Sequence, residues 1–389
     1  MQKLILFLLF FLLNGIPSTA QTPIADAQVS LITIGPGENL YDKFGHTAIR
    51  VKTKTFDVAY NYGTYDWTTP NFYLKFARGK LHYSLTVGPF KNFIANYERE
   101  NRTVREQVLD LNSEEKREIF NYLQTNARPE NREYLYDFFY DNCATKPRDV
   151  LAGVLKERIV YNNYVEDTLT FRRLIRNNIR ANSWGSLGID IAMGAVVDRR
   201  ATPWEHQFLP EYVYRAVNSA SLKRNGSETA LVKKESVLFK APPKKEAHNL
   251  LLSPLFIFGL LALFIIIATL RDAKRKKRSR FLDAALFAAT GSTGALLAML
   301  WWATDHSATA NNYNLLWAFP LSLLLTIAIA RKQPKPWLRR YVAFLLLLLI
   351  MVALHWVTGV QRFAIGLLPL VIALGVRYVY LIGALRSKK

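Results

Sequence analysis

The 389-residue sequence predicts two unlike halves: an exported α+β domain over residues 21–220 and five transmembrane helices over residues 249–389. Three observations carry that prediction. The first twenty residues have the make-up of a secretory signal peptide. The next two hundred alternate short strand patterns with helix patterns between turn residues, and five long apolar runs follow residue 249. Between the halves, residues 221–248 are rich in Lys and Ser, contain Asn225-Gly226 and Pro242-Pro243, and read as a juxtamembrane linker.

The signal-peptide reading rests on Lys3, the apolar residues 4–13, the breakers Gly15 and Pro17, and the small residues Ser18-Thr19-Ala20 before Gln21. No cysteine stands at that junction, so the mature chain is not expected to be a lipoprotein itself. The apolar runs cover residues 250–270, 281–303, 315–330, 341–358 and 363–382, most of them near the ~20 residues that cross a bilayer. The third is the shortest, and Tyr313 and Trp317 extend it through the interface.

Charge placement orients these spans. Residues 271–280, residues 331–340 and the tail from Arg386 hold fifteen basic residues against one acid, Asp272. The alternate loops around 305–312 and 359–362 are almost uncharged. The positive-inside rule therefore places the basic segments and the C-terminus in the cytoplasm and residues 21–248 outside, as the signal peptide independently requires. The same asymmetry accounts for +14 of the net charge of +21, so the basic balance reflects topology, and no nucleic-acid partner is expected.

Within the exported domain, Gln28–Ile34 alternates and reads as a strand, and Gly35-Pro36-Gly37 as a turn. Residues 46–51 and 56–62 alternate around Lys52-Thr53-Lys54-Thr55, a hairpin pattern. Ser113–Asn126 reads as a helix capped by Asn112 or Ser113, with Glu114 and Glu115 favourable in its first turn. A further helix is expected from near Cys143 to Lys156, with Pro147 close to the first turn.

Cys143 is the only cysteine, set in Tyr140-Asp141-Asn142-Cys143-Ala144-Thr145. A lone thiol cannot close an intramolecular disulfide, which leaves inert packing or chemistry. At a helix start it would feel unpaired amides and the positive end of the helix dipole, both of which favour the thiolate. The same amides suit an oxyanion. His46, at the head of a strand, is the candidate general base and acid for it. If the hairpin turns about Thr53-Lys54, its register pairs His46 with Asn61, and Asp57 lies further along the same face. Asn61 is therefore the first choice to orient the imidazole and Asp57 the second. Asn142, Arg50 and Arg148 are candidates for holding substrate, and Tyr41, Tyr65, Trp67 and Trp204 for lining an apolar groove. His82, His206, His248, His306 and His355 have no metal-ligand spacing, so neither a metal nor another cofactor is expected.

The order of a histidine strand, an orienting residue and an Asn-Cys helix resembles the circularly permuted papain-like families, among them the lecithin retinol acyltransferase group and relatives of NlpC-type cell-wall peptidases. Gly45-His46-Thr47-Ala48-Ile49-Arg50-Val51, Tyr60-Asn61-Tyr62-Gly63-Thr64-Tyr65-Asp66, Asp141-Asn142-Cys143-Ala144-Thr145-Lys146 and Phe208-Leu209-Pro210, read together ahead of five spans, resemble the Lnb-type lipoprotein N-acyltransferase family. That resemblance implies an enzyme of the bacterial inner membrane with a periplasmic catalytic domain. Cys143 would take an acyl chain from a membrane phospholipid as a thioester and pass it to the free α-amino group of diacylglyceryl-cysteine lipoproteins. Two other classes stay open at this point: a cysteine phospholipase or cell-wall amidase on the same scaffold, and a non-catalytic membrane scaffold or sensor.

Overall fold

In the computed structural model, which describes residues 24–224, 226–243 and 249–386, the first strand pattern forms a full ladder. β1 (Gln28–Ile34) pairs antiparallel with β2 (His46–Lys52), from Gln28 opposite Lys52 to Ile34 opposite His46. The signal peptide expected over residues 1–20 lies outside the described residues.

β2 returns through residues 53–56, closed by the Thr53 N–H donating to the Phe56 carbonyl at 2.8 Å, into β3 (Asp57–Thr64). β4 (His82–Pro89), β5 (Val104–Leu109) and β6 (Glu133–Leu135) extend the sheet. β7 (Ile159–Val160), β8 (Ser221–Arg224) and β9 (Ser227–Ala230) form a smaller sheet, and β10 (Val232–Phe239) returns to the large one. The order is β10-β5-β1-β2-β3-β4-β6, antiparallel throughout.

Helices cover both faces of this sheet, which is why β1 and β2 are buried on nearly every residue instead of on alternate ones. α1 (Phe72–Ala77) precedes β4, and α2 (Phe90–Arg99) follows it. Phe90 and Phe93 of α2 pack on Ile32, Ile34, Ala48 and Ala59. The opposite face, with Leu31, Ile49, Val51 and Tyr60, packs against α3 (Ser113–Asn126) and α4 (Thr145–Leu155). α3 opens on a full capping box. Asn112 accepts from the Glu115 N–H, and Glu115 accepts from the Asn112 N–H, each at 2.9 Å. α5 (Phe171–Asn178), α6 (Trp184–Ala192), the short α7 (Pro203–His206) and α8 (Pro210–Ser219) complete the domain.

Residues 221–224, 227–230 and 232–239, expected as linker, are strands. β10 seals the edge that β5 would otherwise present to solvent, with the backbone groups of both paired. Composition misleads here because the exposed positions of an edge strand are as polar as those of a linker. Past β10 the Ala241 N–H still donates to the Thr103 hydroxyl at 3.1 Å, so the domain holds the chain beyond Phe239.

Among the described residues, five helices long and apolar enough to cross a membrane follow: Pro254–Arg275, Arg280–Trp302, Ser307–Ala330, Trp337–Thr358 and Ile365–Ala384. Their regular α-helical parts are α9 (Pro254–Arg275), α10 (Arg280–Trp302), α11 (Leu321–Ala330), α12 (Trp337–Thr358) and α13 (Leu368–Ala384). The third span is broken, its first half made of short 3-10 turns before α11. It packs tightly on α10, where a Cβ at Gly291 would lie 2.1 Å from the Leu323 nitrogen and one at Gly294 would lie 1.9 Å from the Ala318 oxygen. At the opposite end from the exported domain, buried Arg377 bonds Asp283 at 2.8 Å and Asp272 at 2.9 Å, and Arg278 bonds Asp283 at 2.9 Å. Two cations against two anions leave that cluster neutral, which a low-dielectric site requires.

The exported domain is seated on the outer ends of the spans. Asn312 donates to the carbonyls of Ile191 and Ala192 at 2.8 and 3.0 Å, and the Ala195 N–H donates to Asn311. Gly194 donates to Ala308, and a Cβ there would lie 1.8 Å from the Ala310 oxygen. Leu187 of α6 belongs to the apolar core of the spans. Backbone hydrogen bonds and a shared core hold the two halves together.

Candidate active site

The Gly45-His46 pair is shaped by its backbone. Gly45 has φ +82°, and a Cβ on it would lie 2.7 Å from the Ile34 carbonyl oxygen, so only glycine lets the chain turn into β2 this close to β1. His46 is thereby set at the end of the central ladder. Its Nε2 lies 2.6 Å from Asn61 Oδ1. That oxygen can only accept, so Nε2 carries the proton and Nδ1 keeps its lone pair. Tyr97 of α2 lies roughly parallel to the imidazole, with ring centres 6.0 Å apart.

Asn61 reaches His46 through a different register from the one expected. The turn holds four residues, so Lys52 faces Asp57 and Arg50 faces Ala59, two positions along from a pairing about Thr53-Lys54. An even shift keeps every side chain on its own face, and Asn61 therefore still meets the imidazole on a diagonal. Asp57 does not. Its carboxylate takes a two-pronged contact from Arg50, at 2.7 Å to Nε and 2.5 Å to Nη2.

Cys143 arrives from the other face of the sheet. The pairing of β3 with β4 slips by one residue between Asn61 and Thr64, a bulge that contains Gly63 at φ +87°. A Cβ on Gly63 would stand 3.0 Å from Cys143 Cβ and 3.8 Å from His46 Cε1. Cys143 and the imidazole thus flank one glycine that has no side chain to separate them.

The electrostatics depart from the expected preformed thiolate. Cys143 precedes the first helical residue, Thr145, by two positions, and sits half-buried in the wall of the cleft. Burial pushes its thiol up to about 11, although the Thr47 and Cys143 N–H groups and the Arg102 charge pull the other way. Burial also pulls His46 down to about 4, against the hydrogen bond that it donates to Asn61. The resting pair is a neutral thiol beside a neutral imidazole, an arrangement in which the imidazole lone pair can accept a proton.

Asn142 is a clamp. Its amide nitrogen donates to the carbonyls of Phe138 at 2.6 Å and Phe208 at 2.9 Å. Its oxygen accepts from the N–H groups of Ala144 and Thr145 at 2.7 and 2.9 Å. Four hydrogen bonds occupy this buried side chain, which caps α4 and explains why Phe208-Leu209-Pro210 belongs with the cysteine motif. Arg50 and Arg148 are likewise committed. Arg50 is buried between Asp57, Glu106 and the Phe90 ring. Arg148 bonds Asp149 and lies over Trp204, away from the cleft.

The cleft itself encloses about 700 Å³, within the usual range for small-molecule sites, and has Cys143, His46, Asn61 and Gly63 on its wall. Of the expected groove residues, Tyr41, Tyr65 and Trp67 line it and Trp204 does not. The sequence reading missed Tyr83, Tyr97, Arg102 and Tyr136. Tyr83 shares a face of β4 with buried Leu85 and so reads as core, and nothing local marks Arg102. Tyr65, Tyr83 and Tyr136 run ring against ring, with centres 5.1 and 4.3 Å apart. A second cleft of about 220 Å³ shares Phe76, Tyr83 and Tyr136 with the first and ends at residues 305–308, at the outer edge of the spans.

Comparison with known proteins places this arrangement. The description "Lnb N-terminal periplasmic domain" matches residues 17–177, and "Lnb transmembrane domain" matches residues 245–389. No curated protein and no solved structure matches the chain. The first match contains the histidine, the orienting asparagine and the cysteine, and the second contains all five apolar helices; the chain belongs to the Lnb family, as a multi-pass membrane protein with a periplasmic N-terminal domain.

Proposed function

We propose that this protein is a lipoprotein N-acyltransferase of the bacterial inner membrane, with its C-terminus in the cytoplasm and a permuted papain-like catalytic domain in the periplasm. The observation that carries the reading is the meeting of Cys143, His46 and Asn61 in an aromatic-walled cleft that continues toward the outer ends of the spans. A thiol–imidazole–amide constellation suits acyl transfer, and apolar walls suit a fatty-acyl chain.

In the first half-reaction the Cys143 sulfur attacks the carbonyl carbon of a phospholipid ester as its proton passes to His46 Nδ1. The tetrahedral oxyanion is held by amides near the sulfur, such as the Cys143 N–H. It collapses with loss of the glycerol oxygen, which takes the proton from His46 and leaves as lysophospholipid, with the acyl chain on sulfur as a thioester. In the second half-reaction the uncharged α-amine of a diacylglyceryl-cysteine attacks that thioester. His46 accepts the amine proton and returns it to the departing sulfur, leaving an amide and a regenerated thiol. Asn61 keeps the proton of the imidazole on Nε2 throughout.

The test uses the full chain in phospholipid vesicles. Intact-mass analysis should find acylated Cys143 without an acceptor and its discharge by a diacylglyceryl-cysteine peptide into a triacylated product. An N-acetylated peptide should not discharge it. Free fatty acid released equally fast with either peptide or none would identify a phospholipase instead.

A further inference from the structure

Resting on the proposed acyl transfer, we propose that α1 and the aromatic residues just before it sit in the outer-leaflet interface and form the portal by which a phospholipid ester reaches Cys143.

The first observation is the character of this surface. Trp67, Tyr73, Leu74 and Phe76 are 64, 79, 58 and 54 % exposed, and Tyr41 across the mouth of the cleft is 80 % exposed. Five large apolar or aromatic side chains facing water from one corner of a domain are unfavourable there and favourable among lipid head groups and upper acyl carbons. Underneath, buried Phe72 stacks with Trp67 and Phe76 and holds the corner rigid.

The second observation fixes the depth. The end of α1 is fastened to the loop that leaves α10. The Asp305 N–H donates to the Arg78 carbonyl at 2.9 Å, His306 Nε2 lies 3.1 Å from the Ala77 carbonyl oxygen, and Lys80 pairs with Asp305 at 3.6 Å. A Cβ on Gly79 would lie 3.2 Å from the backbone of Asp305 and His306, so the contact is backbone against backbone. α10 ends only three residues earlier at Trp302, which stacks on Trp301 and is 67 % exposed, as aromatic residues at a membrane boundary are. α1 is therefore held at the level where the second span meets the head groups.

The third observation connects surface and chemistry. Tyr73 and Phe76 belong both to the exposed corner and to the lining of the cysteine cleft, and Phe76 also lines the second cleft beside His306. A lipid lifted at this corner would enter ester first along aromatic walls, without crossing bulk water.

The test places an environment-sensitive nitrobenzoxadiazole label on Leu74→Cys in the Cys143→Ala chain, reconstituted in phospholipid nanodiscs. Leu74 is exposed and does not line either cleft, so labelling it leaves the reaction site intact. Blue-shifted emission, quenched more by a nitroxide near the head group than by one at the acyl terminus, is the expected result. The same label on Tyr122→Cys, on the exposed face of α3, should report water and resist both quenchers. In the Cys143 chain, Leu74→Asp should slow acylation by vesicle phospholipid about tenfold, the order expected for losing one apolar contact with lipid, and leave acylation by a water-soluble short-chain ester unchanged. A Leu74→Cys label that reports water, or equal losses with both esters, overturns the portal. Because the fluorescence needs no turnover, a failure of the acyltransferase reading would show separately, as absent acyl-enzyme in the unaltered chain.

Discussion

Gly63→Ala isolates the geometric requirement of the site in one methyl group. Gly63 sits at φ +87° in the bulge of β3, where an L-residue with a side chain costs about 1–2 kcal/mol. The added carbon would also stand 3.0 Å from Cys143 Cβ, closer than ordinary contact, with the Cys143 Cα at 3.7 Å behind it. Neither neighbour is the loose end of a flexible side chain, so α4 must withdraw by a few tenths of an ångström and carry the sulfur away from His46. A domain of this size loses roughly 2–4 °C of melting temperature per kcal/mol, which predicts a fall of about 2–8 °C. Misplacing a reacting atom by about 1 Å costs on the order of a hundredfold in rate, so a smaller retreat should slow Cys143 acylation by about ten- to a hundredfold. Thermal melts and timed intact-mass spectra on the same preparation measure both. Gly88→Ala is the control. It lies on β4, opposite Ala59, with no heavy atom near a would-be Cβ, and should change neither quantity. A Gly63→Ala protein that acylates at the unaltered rate would refute the claim that thiol and imidazole meet over this glycine.

Further outcomes follow from the same geometry. Cys143→Ala and His46→Ala should each abolish acyl-enzyme formation with protein abundance near normal, because the two residues act as one unit; mass spectrometry of Cys143 in the histidine variant and an immunoblot of both check this. His46 is held at about 4 in the fold against an ordinary 6.5. Below pH 6.5 the unfolded chain therefore takes up a proton that the folded chain refuses, and stability should fall by about 3 kcal/mol as pH drops toward 4. Melts of His46→Gln across that window should lose this dependence. Cys143 carries the opposite sign: with its thiol raised to about 11 from 9, the unfolded chain ionises first, and that part of the stability is lost as pH climbs from 9 to 11. Iodoacetamide labelling of the substrate-free chain should accordingly keep rising past about pH 9 instead of levelling near neutrality. Arg50→Met should destabilise the domain by about 3–5 kcal/mol, because it strands Asp57 and Glu106 without their buried partner, and a denaturation midpoint reads that directly.

Whatever adds up residue by residue is legible in the chain alone. Apolar length located five spans, and the placement of lysine and arginine supplied an orientation for them, since the cost of taking a side chain into lipid depends little on distant neighbours. Residue type alone singled out Cys143 and His46, and the capping pattern Asn112-Ser113-Glu114-Glu115 announced α3, because its partners lie within one turn. Tertiary structure decided everything that depends on which distant group arrives first. Asp57 stood second to Asn61 as a partner for the imidazole, and Arg50, itself held by Glu106 fifty-six residues along the chain, claims it. Asn142 looked free until Phe138 and Phe208 took its donors. The thiol at a helix start promised a thiolate, and the protein packed around it pushes the thiol the other way, up to about 11. The polar run after residue 220 became β10 because β5 left an unpaired edge, and a sheet edge offers backbone hydrogen bonds to any strand within reach, whatever its composition.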